Sequence, residues 1–588
     1  MCGIAGAVGH DHDVVAISLA ERLRHRGPDG RGHRRFDGCT IAMTRLAILD
    51  PTPAADQPMS LGDLHLVFNG EIYNFGDLRR DLEALGRSFR TNGDTEVVLH
   101  ALDEWGVDAL SRLRGMFALA VWDEGERRLL LARDSAGIKP LYLRATPGGL
   151  AFASEATPLA ALAENRPRVD SLREFLRFGS PVSAPSYDEV AELRPGTVAT
   201  WRAGSLQVEP FDVDEPEVAR PADALLRCVE QQLQSDRPVA VFLGGGFDSA
   251  LLAATSRAVG VRPAAITLAT GGNQADVERA RETARHYGLQ HEVVTCHAPA
   301  VGDYLAAMDQ PTVDGLNVLL VSQAAASLGF PVALSGLGGD EVLGGYGYYR
   351  RLRRVDGVAR AWRHLPPTAR AAIAGRVAPL VRRTPGELDD VLRAPDVPSR
   401  HRAWRSLLAP DEVVDLTGAD AQPSFRWASD PDEPVRRQLA QLDRTTYLEP
   451  TLLRDADVFS MSTSVEMRVP LLDERFLAAV AALPAPTRKA DLARAVGDRF
   501  LVGRATASKL TFSLPWDRWL PSILDGAESV VARDDPWRGV VGEAAGRRFL
   551  DHERATGFSR PLRALALVVL ASWLHRLPAE RRLAGLRA

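Results

Sequence analysis

The sequence has only four cysteines in 588 residues, and Cys2, Cys39, Cys228 and Cys296 are scattered with no CxxC spacing among them. That argues against a disulfide framework and against a cysteine-ligated zinc site. Long apolar runs are equally scarce. The stretch Ala564 to Leu574, flanked by Arg563 and His575, is too short to span a bilayer and is expected to be a buried C-terminal helix. The opening MCGIAGAVGHDHD lacks the basic start and long apolar run of a secretory signal, so a cytoplasmic location is expected. Neither sign of charge dominates: a net charge of -5 and an isoelectric point near 6.3 give no electrostatic reason to expect nucleic acid or membrane as a partner. No short-period repeat is visible. What is there, 45% hydrophobic and 25% charged residues, is the composition of a soluble globular chain with room for two or three domains.

One stretch organises the rest. Pro238 to Thr255, PVAVFLGGGFDSALLAAT, passes from an apolar β-branched segment through Gly244, Gly245 and Gly246 and an Asp-Ser pair into an alanine-rich run. The order predicts a buried parallel strand, a tight turn and a helix N-terminus, whose unpaired N–H groups and dipole make an anion cradle. No Gly-Lys-Ser/Thr follows, so it is not a P-loop, and it is not the dinucleotide pattern. It resembles the pyrophosphate loop of ATP-pyrophosphatases, usually Ser-Gly-Gly-x-Asp-Ser, with Gly244 where the serine stands. Downstream, Pro263 to Thr270 reads as a second strand, Ala275 to Gly288 as an amphipathic helix, His291 to Cys296 as a third strand and Pro331 to Ser335 as a fourth. Strands alternating with helices imply a doubly wound α/β sheet with its ligand at the carboxyl ends of the strands.

The first 160 residues differ in character. Short apolar strands are divided by Gly, Pro, Asn and Asp turns, as expected for an α+β sandwich. Cys2 follows the initiator Met, and removal of Met1 would set a free α-amine of pKa about 7.7–8.0 beside the thiol as its general base. With MCGIAG stand RGPDG (Arg26 to Gly30), RLAILD (Arg45 to Asp50), FNGEIYN (Phe68 to Asn74), GDTEV (Gly93 to Val97) and LARDSAGIKPLY (Leu131 to Tyr142). Together they resemble the N-terminal-nucleophile glutaminase domain of class II amidotransferases. The resemblance implies that Cys2 attacks the glutamine amide, and that Asn69 and the Gly70 N–H form the oxyanion hole. It also implies that Arg45 clamps the α-carboxylate, that Asp94 holds the α-amine, and that Glu71 and the backbone near Leu49 complete the pocket. Arg26 to Gly30 would belong to a closing loop.

In the remainder, GLGGDEVLGGYGYY after Ser335, Leu452 to Asp473 and Ser508 to Leu520 resemble the signatures of the glutamine-hydrolysing asparagine synthetase family, in the family's order. Read alone, Leu452 to Asp473 is a helix with a polar and an apolar face that ends before Pro470. The boundary is placed at 1–160 for the glutaminase domain, 161–220 for a connecting segment with several prolines, and 221–588 for the ATP-pyrophosphatase-type domain. Residues 350 to 440 are arginine- and alanine-rich, helical in pattern and without an assignable role.

The resemblance implies ATP and Mg²⁺ as cofactors, with Asp248 and Asp340 sharing the ion. Lys509 would stabilise the leaving pyrophosphate, and Leu243, Gly244, Gly245, Gly246, Asp248, Ser249, Leu268, Ser335 and Gly336 would contact the nucleotide. Glutamine, ATP and a carboxylic acid are then the partners, an ammonia tunnel would join the sites, and a homodimer is left open. Three positions depart from the pattern. Gly244 removes a hydroxyl contact worth roughly 1.5–3 kcal/mol to a charged acceptor, Leu337 replaces an acidic residue, and Val458 replaces an arginine. The expected reaction is amide formation through an acyl-adenylate, asparagine from aspartate first. A different carboxylate by the same mechanism, or a glutaminase or scaffold with a degenerate synthetase half, are the alternatives.

Overall fold

Cys2–Val8 (β1) is buried along its whole length, which places it inside a sheet rather than at an edge. The computed structural model describes residues 2–163, 166–214, 220–298, 301–381, 384–421, 427, 429–483, 489–508 and 514–577. In it β1 pairs antiparallel with Cys39–Arg45 (β3) and Gly149–Ala153 (β9), and the sheet is completed by Gly30–Phe36 (β2), Tyr142–Thr146 (β8) and Val190–Glu192 (β10), in the order β10-β8-β9-β1-β3-β2. A second antiparallel sheet runs β12 (Ser205–Pro210), β11 (Thr197–Arg202), β7 (Arg128–Arg133), β6 (Gly115–Asp123), β5 (Leu64–Ile72), β4 (Met59–Leu61). Ile4, Val8, Ile41 and Leu150 from the first sheet meet Val67, Ala118, Trp122 and Leu131 from the second. Helix His12–Arg22 covers one outer face, and helices Phe75–Ala84 and Asp94–Trp105 cover the other. The result is the expected sandwich. Residues Val190–Pro210, within the predicted connecting segment, supply three of its strands: Val190 is buried on the edge strand β10, and Val198 and Ala199 of β11 pack into the apolar clusters on opposite faces of the second sheet.

The second half is built on five parallel strands in the order β15 (His291–Thr295), β14 (Ala264–Ala269), β13 (Val239–Phe242), β16 (Val332–Leu334), β17 (Glu466–Arg468). From β13 the chain adds β14 and β15 to one side and β16 and β17 to the other. The strand order therefore reverses at β13, and a ligand crevice opens at the carboxyl ends of β13 and β16. Four strands fall where the sequence placed them. The fifth does not: the helical run that passes through Leu452 ends at Met461, well before Pro470, and Glu466–Arg468 crosses to the sheet edge. A three-residue strand bearing Glu466 and Arg468 carries no apolar signal, since its two charges neutralise each other inside, with Arg468 Nε 2.5 Å from Glu466 Oε1. Helix Pro561–Arg576 is buried as expected, and among the described residues no helix is long and apolar enough to cross a membrane.

The two halves share one core. Ala5, Tyr142 and Phe175 lie in the same apolar cluster as Leu268, Leu319, Phe459, Leu567 and Trp573. Asp309 pins this seam, because its carboxylate accepts from the N–H of Ala156 at 3.0 Å and of Thr157 at 2.7 Å at the start of the short helix Ala156–Ala160. Asp309→Ala leaves both donors buried without a partner, so it is expected to destabilise the chain by about 2–4 kcal/mol. Urea unfolding followed by tryptophan fluorescence checks this, and an unmoved midpoint contradicts it.

Candidate active sites

The two antiparallel sheets bring the first constellation together. Register sets Cys2 opposite Arg45 across β1 and β3, and the Cys2 backbone N donates to Asn69 Oδ1 at 3.0 Å. That bond fixes the side-chain amide: its oxygen faces Cys2, and Nδ2 is left buried with no hydrogen-bond partner. A buried unpartnered donor is costly and calls for an explanation. Next to it Gly70 admits no side chain, since a Cβ there would stand 2.1 Å from the Met116 carbonyl O. Burial pushes the Cys2 thiol above its ordinary range, so it needs a base to ionise.

Arg45 is buried and its fork is occupied from within, Nη1 by Asp56 Oδ1 at 2.6 Å and the Thr52 carbonyl O at 3.0 Å, Nη2 by the Asp50 carbonyl O at 2.6 Å. Asp56 is the exposed partner, and it is the one an incoming carboxylate can displace. Asp94 accepts from the Ile72 N–H at 2.8 Å, and burial raises its carboxyl to about 6. Leu49 lies beside this pocket, its carbonyl O 4.0 Å from where a Cβ on Gly93 would stand. Glu71 turns the other way, toward Arg468 Nη2 at 3.5 Å across the seam. Burial and the neighbouring Glu466 push Glu71 well up, whereas in Glu466 the adjacent Arg468 outweighs burial and holds the carboxyl down. Arg26 is pinned in place by Glu155 and Asp457 rather than free on a loop.

The second constellation lies at the strand-order reversal. Ser249 closes the glycine turn, accepting from the Gly244 N–H at 3.2 Å and donating to the Gly244 carbonyl O at 3.1 Å. Asp276 Oδ1 takes the Gly245 N–H at 2.8 Å. Two of the cradle's N–H groups, expected to be unpaired, are thus engaged within the fold, because a side-chain hydroxyl and a carboxylate reach them from the neighbouring helices. Leu243 and Leu268 are buried strand-end residues flanking the turn, and the Leu243 carbonyl O accepts from Thr267 Oγ1 at 2.5 Å. Opposite, the Ser335 N–H bonds the Arg468 carbonyl O at 2.8 Å, and Gly336 and Gly339 let Asp248 approach: a Cβ on them would stand 3.0 Å from Asp248 Cβ and 2.6 Å from its Cγ. Asp248 and Asp340 meet at one point, Lys489 Nζ, at 2.5 and 2.6 Å.

Lys489 was not singled out in the sequence. The signal was available, since the chain has three lysines, Lys139, Lys489 and Lys509, among its 71 basic residues, and a lysine where arginine is the rule marks a site needing a compact charge. Lys509 lies outside the described residues. Leu337 packs on Leu448, Leu453, Val469 and Leu472, and Val458 is buried in the helix Arg454–Met461.

Comparison with known proteins places both halves. Residues 1–212 match the model of the glutamine amidotransferase domain, and residues 221–575 match that of asparagine synthase. The chain belongs to the asparagine synthase family. A Mycobacterium tuberculosis protein provisionally named a glutamine-hydrolysing asparagine synthetase is 30% identical over 97% of both chains. The glutamine-hydrolysing asparagine synthetase 1 of Bacillus subtilis is 28% identical over 81% of this chain and 80% of its own, and synthetase 2 of Arabidopsis thaliana is 33% identical over 60% and 62%.

Within this family fold the raised Asp94 gives a pH signature. In the role the resemblance implies, holding a substrate ammonium, its carboxylate would have to be ionised, and with a carboxyl at about 6 that form is lost as pH falls. A base titrating near 7.7–8.0 already lowers kcat/KM for glutamine on the acid side. The decline should therefore steepen below about 6, and Asp94→Asn should lower kcat/KM and abolish the second break. A wild-type profile with one slope throughout contradicts the assignment.

Proposed function

We propose that the chain hydrolyses glutamine at Cys2 and uses the ammonia to amidate an ATP-activated carboxylate, with aspartate, giving asparagine, as the first acceptor to test. The observation that carries the first half is the orientation of Asn69, its oxygen on the Cys2 nitrogen and its buried Nδ2 unpartnered.

With Met1 removed, the α-amine of Cys2 takes the thiol proton and Sγ attacks the glutamine amide carbon. Asn69 Nδ2 and the Gly70 N–H donate to the oxyanion, a contact made only in the tetrahedral intermediate. Collapse releases ammonia with the proton returned by the amine, and water then cleaves the thioester to glutamate. Arg45 holds the α-carboxylate bidentately and Asp94 the α-amine.

In the second half the acceptor carboxylate attacks the α-phosphorus of ATP, pyrophosphate leaves, and ammonia displaces AMP from the acyl carbon. Asp248 and Asp340 converge within the reach of a single ammonium, a pair of hard oxygen donors that suits Mg²⁺ with phosphate oxygens and water as its other ligands. Bound there, Mg²⁺ supplies charge neutralisation for the phosphates. Among the described residues no group of three or more His, Cys, Asp or Glu side chains could hold a metal alone, so the ion is read as arriving with the nucleotide. Lys489 then stands within reach of the phosphates as a point charge. Leu337 stands where the resemblance expects an acidic residue and packs instead into an apolar cluster, and that observation favours the second reading, a carboxylate other than aspartate.

The deciding experiment is pyrophosphate release with ATP, glutamine and a panel of acids. Release with aspartate supports the first reading, release only with another acid supports the second, and glutamate formation with no pyrophosphate contradicts both. Cys2→Ala should abolish glutamine use and spare synthesis from added ammonia. Lys489→Met should lower pyrophosphate release on the order of 10²-fold, the cost of one lost electrostatic stabiliser, while glutamine hydrolysis stays within about twofold.

A further inference from the structure

The proposed chemistry leaves Arg26 without a part, yet its guanidinium is fully buried and each of its nitrogens is engaged. Nε donates to the Cys2 carbonyl O at 3.3 Å, Nη1 to Glu155 Oε1 at 3.0 Å and Nη2 to Asp457 Oδ2 at 2.7 Å. The first bond holds the backbone of the nucleophile. The last crosses to the other half of the molecule, onto helix Arg454–Met461. Asp457 accepts also from Lys139 Nζ at 3.4 Å, and all three side chains, Arg26, Lys139 and Asp457, are at most 1% exposed.

Once Met1 is gone, no residue precedes Cys2 to fix it in the chain. Its position then rests on the β1 ladder, on Asn69 at the nitrogen and on Arg26 at the carbonyl. A guanidinium can aim Nε at that carbonyl only if its two terminal nitrogens are held, and its planar fork makes the three directions interdependent. Glu155 holds one terminal nitrogen from within the glutaminase half, and Asp457 holds the other from outside it.

We propose that Asp457, on the synthetase half, is a positioning residue for the Cys2 nucleophile, acting through Arg26 to set the Cys2 carbonyl and with it the relation of α-amine, thiol and Asn69. The glutaminase site is then completed by the helix it docks against. This assignment explains why ions are buried at the seam, where an apolar pair of equal volume is often as stable. The inference rests on the reading of Cys2 as a glutaminase nucleophile, and the test separates the two.

The charged groups facing the Cys2 thiol are the chain's terminal amine, Arg45 from β3 and Glu466 from β17, with Arg26 from the turn Arg24–Arg26 at the Cys2 carbonyl. Asp457→Asn keeps the shape but leaves Arg26 with one anionic partner, so the field at Cys2 becomes more positive. Two readouts are compared in the full chain with Met1 removed: steady-state glutamine hydrolysis, and iodoacetamide alkylation against pH, read at the Cys2 peptide by mass spectrometry. For Asp457→Asn the expectation is a kcat lower by about tenfold with KM kept within about twofold, the pattern of a misplaced nucleophile. Its alkylation midpoint should move to lower pH, which a packing defect alone would not cause. Asp457→Glu, which keeps the charge and shifts it by one methylene, should fall by about threefold in kcat. The double variant Arg26→Met/Asp457→Asn should be no worse than Arg26→Met.

Unchanged kcat and midpoint in Asp457→Asn, or effects of the two substitutions that multiply, overturn the proposal. Should Asp457→Asn fail to fold, Asp457→Glu decides, and an unchanged kcat rejects it. A wild-type chain that alkylates at Cys2 but leaves glutamine intact overturns the glutaminase reading instead, and the midpoints alone then judge the positioning role.

Discussion

A charge removed from water must meet an opposite charge, and the seam between the two halves is organised by that requirement. Arg26 extends from the glutaminase half toward Asp457 of the other, and Glu71 toward Arg468. Around them Glu155, Lys139 and Glu466 complete a buried set in which each ion has a counter-ion. Burial pushes the Lys139 ammonium down, while His25 and Arg26, against burial, hold the Glu155 carboxyl at about 2. Such pairs add little net stability, but losing one partner costs about 3–5 kcal/mol. Their effect is on registry. Any other docking of the halves strands a charge, so the two sites are held at one mutual orientation by penalties against alternatives, and the shared apolar core supplies the attraction.

Much of this was legible in the sequence because motifs with chemistry are contiguous. The turn Gly244 to Ser249 needs six adjacent positions to make strand, turn and helix, and β13 and the helix Phe247–Ala258 fall where expected. Cys2, Arg45, Asn69 and Asp94 are read from short strings: a ladder sets Cys2 beside Arg45, and single hydrogen bonds tie the Cys2 nitrogen to Asn69 of the facing sheet and Asp94 to the Ile72 N–H at the end of that strand. What escaped the reading is made of isolated residues. Lys489 is a single lysine in an ordinary helix, and its role appears only when Asp248 and Asp340 are seen at its Nζ. Arg26 stands in a recognised string, but Asp457, its partner, is separated from it by more than four hundred residues.

The helical region from Gly347 to Asp443 shows the same limit from another side. Its arginines had no assignable role, yet Arg405 is drawn inside: Asp443 accepts from Arg405 Nη2 at 2.5 Å, His401 Nε2 at 2.8 Å and the hydroxyls of Tyr348 and Tyr349 at 2.5 and 2.6 Å. The Arg405 guanidinium lies 3.8 Å from the ring centre of Tyr447, a cation–π contact. One carboxylate taking donors from four residues is invisible to periodicity, because those partners sit on two other helices. Next to it Tyr346 bonds Glu341, whose carboxyl burial raises to about 7, and Glu341 follows Asp340 directly in the chain. The network therefore braces the short helix Gly339–Leu343 that carries Asp340, and through it the point where Asp248 and Lys489 converge.

That bracing explains why the reaction type is easier to read than the acceptor. Phosphate chemistry asks for a few charges in fixed positions, and those charges announce themselves in glycine-rich, acidic strings at strand ends. An acceptor pocket asks only for a shape, and shape comes from side chains whose identity is ordinary. Leu337 is such a residue. It packs against the apolar cluster of Leu448, Leu453, Val469 and Leu472 and stands three positions before Asp340 in the chain. Electrostatics and packing are thus separable in such a site: charges in fixed positions suit activation of a carboxylate, and the shape beside them is free to vary.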